Sequence, residues 1–327
     1  MNPLQRRRLL GCAAAAALLP AAWPAFAADP WPSRPIKWVL PYLAGTGPDI
    51  TARILAEAVS PLLGQPVVIE NRAGAGGNIG ARLVAKSPPD GYTWIYSAAP
   101  MAANMRMYKV PGYDALKDFR HVMRLTTSDI VLIVNPDSGI RTLDDLVARA
   151  RANPGKLNYA SGGVGTPSHL GVELLLNAVD AQATHVPYKG ASELVNAVLG
   201  NQVSFGTPIF SVAFTQIQAG KLKALAVAGS ARNPLLPEVP TLAELGVRGV
   251  DLTSWGGVSV PAGTPDAIVA RIRSAFESAL KQPAVALALV ERGGQVSPQG
   301  PEAYARGFTQ EIALTEAMMK RAGLEPQ

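Results

Sequence analysis

What the chain has little of narrows the reading first. It holds one cysteine, Cys12, so no disulfide can form within it and no cysteine-based metal site can be assembled. Its histidines are His121, His169 and His185, and no HExxH, GxSxG or CxxC pattern occurs. The common signatures of zinc hydrolases, serine hydrolases and thiol redox proteins are therefore missing, as is the GxxxxGK[ST] phosphate loop. Aromatic residues make up only 6% of the chain, whereas Ala, Val, Leu and Gly are plentiful, which favours α/β layers over an all-β sandwich. No repeat, low-complexity linker or second long apolar run follows the N-terminal one.

That N-terminal run has the layout of a secretory leader. Arg6, Arg7 and Arg8 form a basic head. Leu9 to Ala22 is apolar but short for a membrane span, and Ala25-Phe26-Ala27 is a small-x-small cleavage signal. Residues 1–27 are thus expected to be a cleaved signal peptide, with Arg7-Arg8 leaning toward the twin-arginine type. A lipoprotein reading through Cys12 is disfavoured, because a lipobox follows the apolar core and here the core follows the cysteine. Residues 1–27 carry three Arg and no acid, so the net charge of +6 falls to +3 without them. So small an excess gives no support to nucleic-acid binding, which needs clustered Lys and Arg. Some 300 residues remain, enough for two domains.

One local pattern recurs: a helical segment, a Gly that ends it, then a short β-rich run. It appears as helix 49–62, Gly64 and strand 66–70. It returns as helix 142–152, opened by a Thr142/Asp145 capping box, then Asn153-Pro154-Gly155 and strand 156–160. A third copy is helix 209–219, Gly220 and strand 223–228. Further strands are expected at 36–41, 93–97 and 130–135, and two amphipathic helices near the C-terminus. The first bears Ile268, Ile272, Phe276 and Leu280, the second Tyr304, Phe308 and Ile312, with a stop at Gly323. Alternation of this kind predicts βαβ units and mixed, mainly parallel sheets. The chain is expected to cross between lobes near 124–129 and to return near 250–256.

Three strand-to-helix junctions share one design. They are Ala44-Gly45-Thr46-Gly47-Pro48-Asp49, Ser161-Gly162-Gly163-Val164-Gly165-Thr166-Pro167-Ser168, and Gly206-Thr207-Pro208. Each places Gly or Thr before a Pro suited to the first helical position. Such a junction bares backbone N–H groups and the positive end of a helix dipole to an anion. Ordinary capped loops are the competing reading for any one of them. The run Gly74 to Gly80 misses the GxGxxG dinucleotide spacing, since Ile79 occupies the third Gly position, and reads as a tight loop beside the site rather than as the opening of a helix. His169 and His185 read as packed or capping residues. Tyr188 and Lys189 lie in a loop that faces either solvent or an anion. Trp255, among Ser254, Gly256 and Gly257, is either core or the flat wall of a pocket. Ser97, ending the 93–97 strand, joins the candidates.

Beyond these local readings, several stretches resemble one family. They are Trp31-Pro32-Ser33-Arg34-Pro35-Ile36, Gln65 to Arg72 (QPVVIENR), Gly74 to Gly80 (GAGGNIG) and Pro89 to Thr93 (PDGYT). Further on come Asn153 to Ser161 (NPGKLNYAS), His185 to Gly190 (HVPYKG), Ala219 to Leu222 (AGKL) and Pro261 to Pro265 (PAGTP). In order over nearly the whole chain, they are similar to the solute receptors of tripartite tricarboxylate transporters, the Bug receptors. The resemblance implies a two-lobe α/β periplasmic binding fold of Venus-flytrap form. Lobe 1 would be 28–126 with 252–327, and lobe 2 would be 127–251. It implies no catalysis and no cofactor, a small carboxylate as ligand, membrane transporter subunits as partners, and a monomer. By the resemblance, Tyr42, Ala44, Gly45, Thr46 and Asp49 grip from lobe 1, and Gly165, Thr166 and Ser168 from lobe 2. Ser97, Ser161, Tyr188, Gly206, Thr207 and Trp255 complete the expected ligand-binding set.

Two departures stand out. Where the family's first loop usually runs Pro-Ala-Gly-Gly-Gly-Thr-Asp, this chain has Leu43-Ala44-Gly45-Thr46-Gly47-Pro48-Asp49. Where Asp-Asn commonly follows the residue equivalent to Phe205, it has Gly206-Thr207. Loss of that acid predicts a less polar, roomier pocket suited to aromatic or alkyl carboxylates. A sensor's ligand domain would use the same pocket; an exported α/β hydrolase is the weaker alternative, for want of a nucleophile motif.

Overall fold

The computed structural model describes residues 31–164, 166–229, 231–250 and 252–326. The leader expected over 1–27 and the candidate Gly165 lie outside them.

The first third of the chain alternates strand and helix: β1 (Ile36–Leu40), α1 (Gly47–Leu63), β2 (Val67–Asn71), α2 (Asn78–Ala85), β3 (Thr93–Ala98) and α3 (Ala99–Met107). The long strand β4 (Phe119–Asp129) follows. The middle third continues with β5 (Val131–Val134), α4 (Leu143–Ala152), β6 (Asn158–Ser161), α5 (Pro167–Ala178), β7 (Thr184–Pro187), α6 (Ala191–Leu199), β8 (Phe205–Gly206), α7 (Phe210–Gln218) and β9 (Lys223–Val227). The chain closes with β10 (Thr253–Pro261), α8 (Asp266–Leu280), α9 (Pro283–Val290), β11 (Gln295–Gln299) and α10 (Pro301–Ala322).

These strands form two sheets, ordered β11-β4-β10-β3-β1-β2 and β7-β6-β8-β5-β9. Strand β1 runs parallel to β2 and β3, and β6 parallel to β7 and β8. The remaining pairs, β10 with β3 and β4, β11 with β4, and β5 with β8 and β9, are antiparallel. Both sheets are therefore mixed, but parallel pairing does not dominate either one. The reason lies in the strands at the passage between sheets. Strand β4 hands the chain to β5 after Asp129, and the return strand β10 lies antiparallel along β4, with Thr253 opposite Asp129. The two passages run side by side, because Ala228 N donates to Ile130 O (2.8 Å) and Leu252 N to Ala228 O (2.7 Å).

Apolar spacing places the core. Ile272, Phe276 and Leu280 of α8 are buried against Trp38 and Trp94 of the first sheet, and the Phe276 ring meets Trp38 at 5.3 Å and Trp94 at 5.8 Å. Tyr304, Phe308 and Ile312 of α10 are buried too, over the other face of that sheet. Met318 and Met319, farther along α10, join the core of the second sheet. The capping box at Thr142 and Asp145 is formed as expected.

Two local expectations are corrected. The Gly74 to Gly80 run does sit between a strand and a helix: β2 ends at Asn71, a single 3-10 turn covers Ala75–Gly77, and α2 begins at Asn78. At the third junction, α7 starts at Phe210 with Ile209 as its N-cap, so Pro208 precedes the helix, and its carbonyl accepts from Val131 N (3.0 Å).

Candidate functional site

A cavity of about 630 Å³ opens between the two sheets. From the first sheet's side it is lined by Pro41 to Leu43 and Thr46 to Pro48 after β1, by Ala73 to Gly77 after β2, and by Tyr96, Tyr108, Thr126 to Ser128 and Ser254 to Gly256. From the second it is lined by Gly162 to Val164, Thr166 to Ser168, Tyr188 to Ala191, Ile209, Ser211 and Val212. Parallel strands deliver their following loops to one edge of a sheet, which is why the turns after β1, β2 and β6 converge there. Among the described residues, Lys189 is the only charged one of the lining, and no carboxylate belongs to it.

The first loop is braced from behind. Asp49, 2% exposed, accepts from Gly45 N (2.9 Å), from Arg53 Nε and Nη2 (3.0 Å each) and from Asn71 Nδ2 (2.8 Å). Burial alone would raise the Asp49 carboxyl, but the bonds from Arg53, Asn71 and Gly45 outweigh it and hold the group below the usual carboxylate range. Gly45 takes φ +78°, a left-handed turn that points its amide at this carboxylate. Two amides of this loop stay outside that brace, that of Gly47, which lines the cavity, and that of Asp49, which does not. As first-turn groups of α1 they have no intrahelical acceptor, and they take none among the described residues.

The second loop is built likewise. Ser161 is fully buried; its Oγ accepts from Gly163 N (3.1 Å) and lies 2.6 Å from His185 Nε2. Gly162 N donates to Ser168 Oγ (2.9 Å), Thr166 Oγ1 to Gly163 O (2.7 Å), and Thr207 Oγ1 to Ser168 O (2.8 Å). Behind it, the rings of His185 and His169 stack at 4.0 Å and those of His185 and Tyr159 at 4.9 Å, and the Tyr159 hydroxyl donates to Glu173. Burial pushes both histidines down to about 4, so both are neutral near pH 7. The amides of Val164 and Ser168 take no acceptor among the described residues.

Of the expected ligand-binding set, Tyr42, Thr46, Thr166, Ser168, Tyr188 and Trp255 line the cavity. Seven do not, each for a physical reason. Gly45 and Asp49 belong to the first loop's own brace, and Ala44 is exposed outside the lining. Ser97 is fully buried in a network with Ser259 Oγ (2.6 Å) and the Tyr304 hydroxyl (2.9 Å). Ser161 ties the second loop to His185. Gly206 lies inside the second sheet, where a Cβ would meet Leu194 at 3.1 Å, and Thr207 is a buried prop beneath Ser168. The Gly206-Thr207 departure therefore sits behind the wall, and the wall's apolar character comes from Val164, Ile209 and Val212.

Sequence reasoning missed Tyr96, Tyr108, Ser211 and, above all, Glu311. Trp255 turns its indole N–H to Glu311 Oε2 (3.2 Å), and burial pushes that carboxyl up to about 7. The spacing of Tyr304, Phe308 and Ile312 marks the buried face of α10, but nothing local shows that residue 311 meets a strand 56 positions away.

Two mixed α/β lobes facing each other across a cavity have the architecture of a periplasmic binding protein. Residues 51–324 match the family described as tripartite tricarboxylate transporter family receptor, and the chain belongs to that family. Protein BugT of Bordetella pertussis is 35% identical over 299 residues, covering 90% of this chain and 91% of BugT. The structure of the periplasmic binding protein BugD is similar with a TM-score of 0.85 at 33% identity, covering 91% of this chain and all of BugD. A protein of R. palustris solved with adipate gives a TM-score of 0.87 at 33% identity, over 91% of this chain and all of that one. The family is one of transporter receptors and BugD is a periplasmic binding protein, so the chain belongs with substrate-binding proteins and not with enzymes.

Proposed function

We propose that this chain captures a small organic acid between its lobes and delivers it to the membrane subunits of a tripartite tricarboxylate-type transporter. The observation that carries this reading is the interlobe cavity, lined by helix-start amides from both sides, with one cation and no carboxylate among the described residues of its wall. An anion there gains the dipoles of α1 and α5 and meets no like charge. Closure removes water and strengthens each of those bonds. The adipate in the R. palustris relative supports a carboxylate, while the apolar and tyrosine-rich lining here favours an acid with an apolar body. The chain would be exported through the leader over 1–27 and act as a monomer. Lobe 1 would comprise 28–126 and 252–327 and lobe 2 would comprise 127–251, with the end of β4 serving as one connection.

Native mass spectrometry of the purified chain should show a co-purified acid that is released intact. In a thermal-shift series of carboxylates, a true ligand at a hundred times its Kd adds about 2.7 kcal/mol of stability. If no carboxylate shifts the transition, or if the acid is recovered chemically changed, the reading fails.

A further inference from the structure

Trp255 lines the cavity and is held from behind. Its indole N–H donates to Glu311 Oε2 at 3.2 Å. Its ring packs edge-to-face on Phe308 at 4.9 Å and Tyr304 at 5.6 Å. The backbone behind it cannot shift, because β10 is pressed against its neighbours. A Cβ on Gly256 would run into the Tyr96 ring, and one on Gly257 would run into the Met123 carbonyl. Glu311 stands on α10, half-buried, and also lines a second, smaller cavity of about 220 Å³ at the passage between the sheets. Keeping a carboxyl in such a place is unfavourable. Burial is the main influence on it, and the Trp255 bond is what opposes burial.

We propose that Glu311 is a positioning residue that sets the Trp255 indole as a flat wall, and that this wall selects carboxylates whose body is a planar aromatic ring. The inference rests on the carboxylate reading above and narrows it. An aromatic body stacks or meets edge-on with a ring already held in place, and loses little freedom in doing so. Tyr96 and Tyr108 add aromatic surface to the same wall. Lys189 is the one charged group that could reach a second acid, so a neutral body suits the remainder of the cavity.

The test compares benzoate with cyclohexanecarboxylate, equal in charge and carbon number but saturated in the ring, by calorimetric titration. Wild-type protein should bind benzoate about two- to tenfold more tightly, the range an aromatic contact supplies beyond its buried area. E311L and W255L should bring the two Kd values together, by weakening benzoate more than cyclohexanecarboxylate. E311Q, whose amide oxygen accepts the same indole N–H, should keep the preference. A merely structural Glu311 would weaken both acids alike and leave their ratio intact in E311L, which overturns the proposal. Equal affinities in the wild type overturn it without recourse to any variant. Binding of adipate alone sinks the aromatic selection and leaves the carboxylate reading standing, whereas a protein that binds none of the three acids loses both.

Discussion

At the scale of single residues, the buried titratable groups set two opposed responses to pH. His121, His169 and His185 are pushed down to about 4 by burial, while the unfolded chain protonates them near 6.5. Between those values the unfolded state binds more protons, so their contribution to stability is lost as pH falls from 6.5 toward 4. Glu311 works the other way. Its folded value of about 7 lies above the ordinary 4.5, so the folded state holds the extra proton and stability falls as pH rises through that window. The residues that share the small cavity with it, Ala99, Ile130, Pro167, Leu252, Thr253 and Leu314, carry no titratable side chain. The Arg106–Glu316 ion pair between α3 and α10 lies at exposed positions. E311Q removes the second response alone. Its melting temperature should gain on wild type as pH is raised from 5 to 8, and a constant gap would show that the carboxyl titrates normally. Neither response can be read from the sequence, because burial of residues 121, 169, 185 and 311 depends on partners far along the chain. The sequence does show that His169 and His185 sit in a helix turn and a strand, and hence that packing outweighs catalysis for both.

Among the elements, legibility followed periodicity. Helices α1, α4, α7, α8 and α10 and strands β1, β3, β5, β6 and β9 carry a regular apolar spacing or a Gly stop, and all can be found without coordinates. Helix α3 hides because Ala99, Met101, Ala102, Ala103, Asn104 and Met107 are buried nearly all round it, leaving no polar stripe. Strand β11, with Pro298 and two Gln, is a sheet-edge strand of low β-propensity. The two cavity-lining loops were legible as junctions but not in their inner wiring. Glycine and serine in Ser161-Gly162-Gly163 look like groups offered to a guest. The structure spends the amides of Gly162 and Gly163 on Ser168 and Ser161 instead, and leaves those of Val164 and Ser168 facing outward. This wiring has Ser161 brace the loop through Gly163 and His185. S161A removes one acceptor from Gly163 N and the partner of His185 Nε2 in a buried place, so stability should drop by about 1–3 kcal/mol. Affinity should fall by a similar factor for every acid tested. A loss confined to one ligand, measured by titration calorimetry, would instead mean that Ser161 touches the guest.

Across the whole molecule, binding depends on how closely the two halves meet. Asp129, at the end of β4, accepts from Gln295 Nε2 (3.1 Å) on the first sheet's side and from Asn233 Nδ2 (2.7 Å) on the second's, so a single carboxylate clasps both where the chain passes between them. Across the cavity mouth the approach is tighter still. Gly47 opens α1, and Ser211 and Val212 lie in the first turn of α7 opposite. A Cβ on Gly47 would collide with Ser211 Oγ and stand 3.3 Å from Ser211 Cβ. Glycine at 47 is favoured here by interlobe distance and not by backbone angle, since its φ lies outside the left-handed region. Alanine fits the helix better than glycine by about 0.5–1 kcal/mol, so G47A should leave the ligand-free protein as stable as before or slightly more so. It should nevertheless prop the lobes apart and weaken carboxylate binding by tenfold or more, because the amides on α1 and α5 no longer reach one anion together. Removing the obstacle from the facing side tests the cause: in G47A/S211G the collision with Oγ disappears, and affinity should return most of the way. If the double variant binds as poorly as G47A, the loss came from the loop itself and closure across this contact is not what holds the ligand.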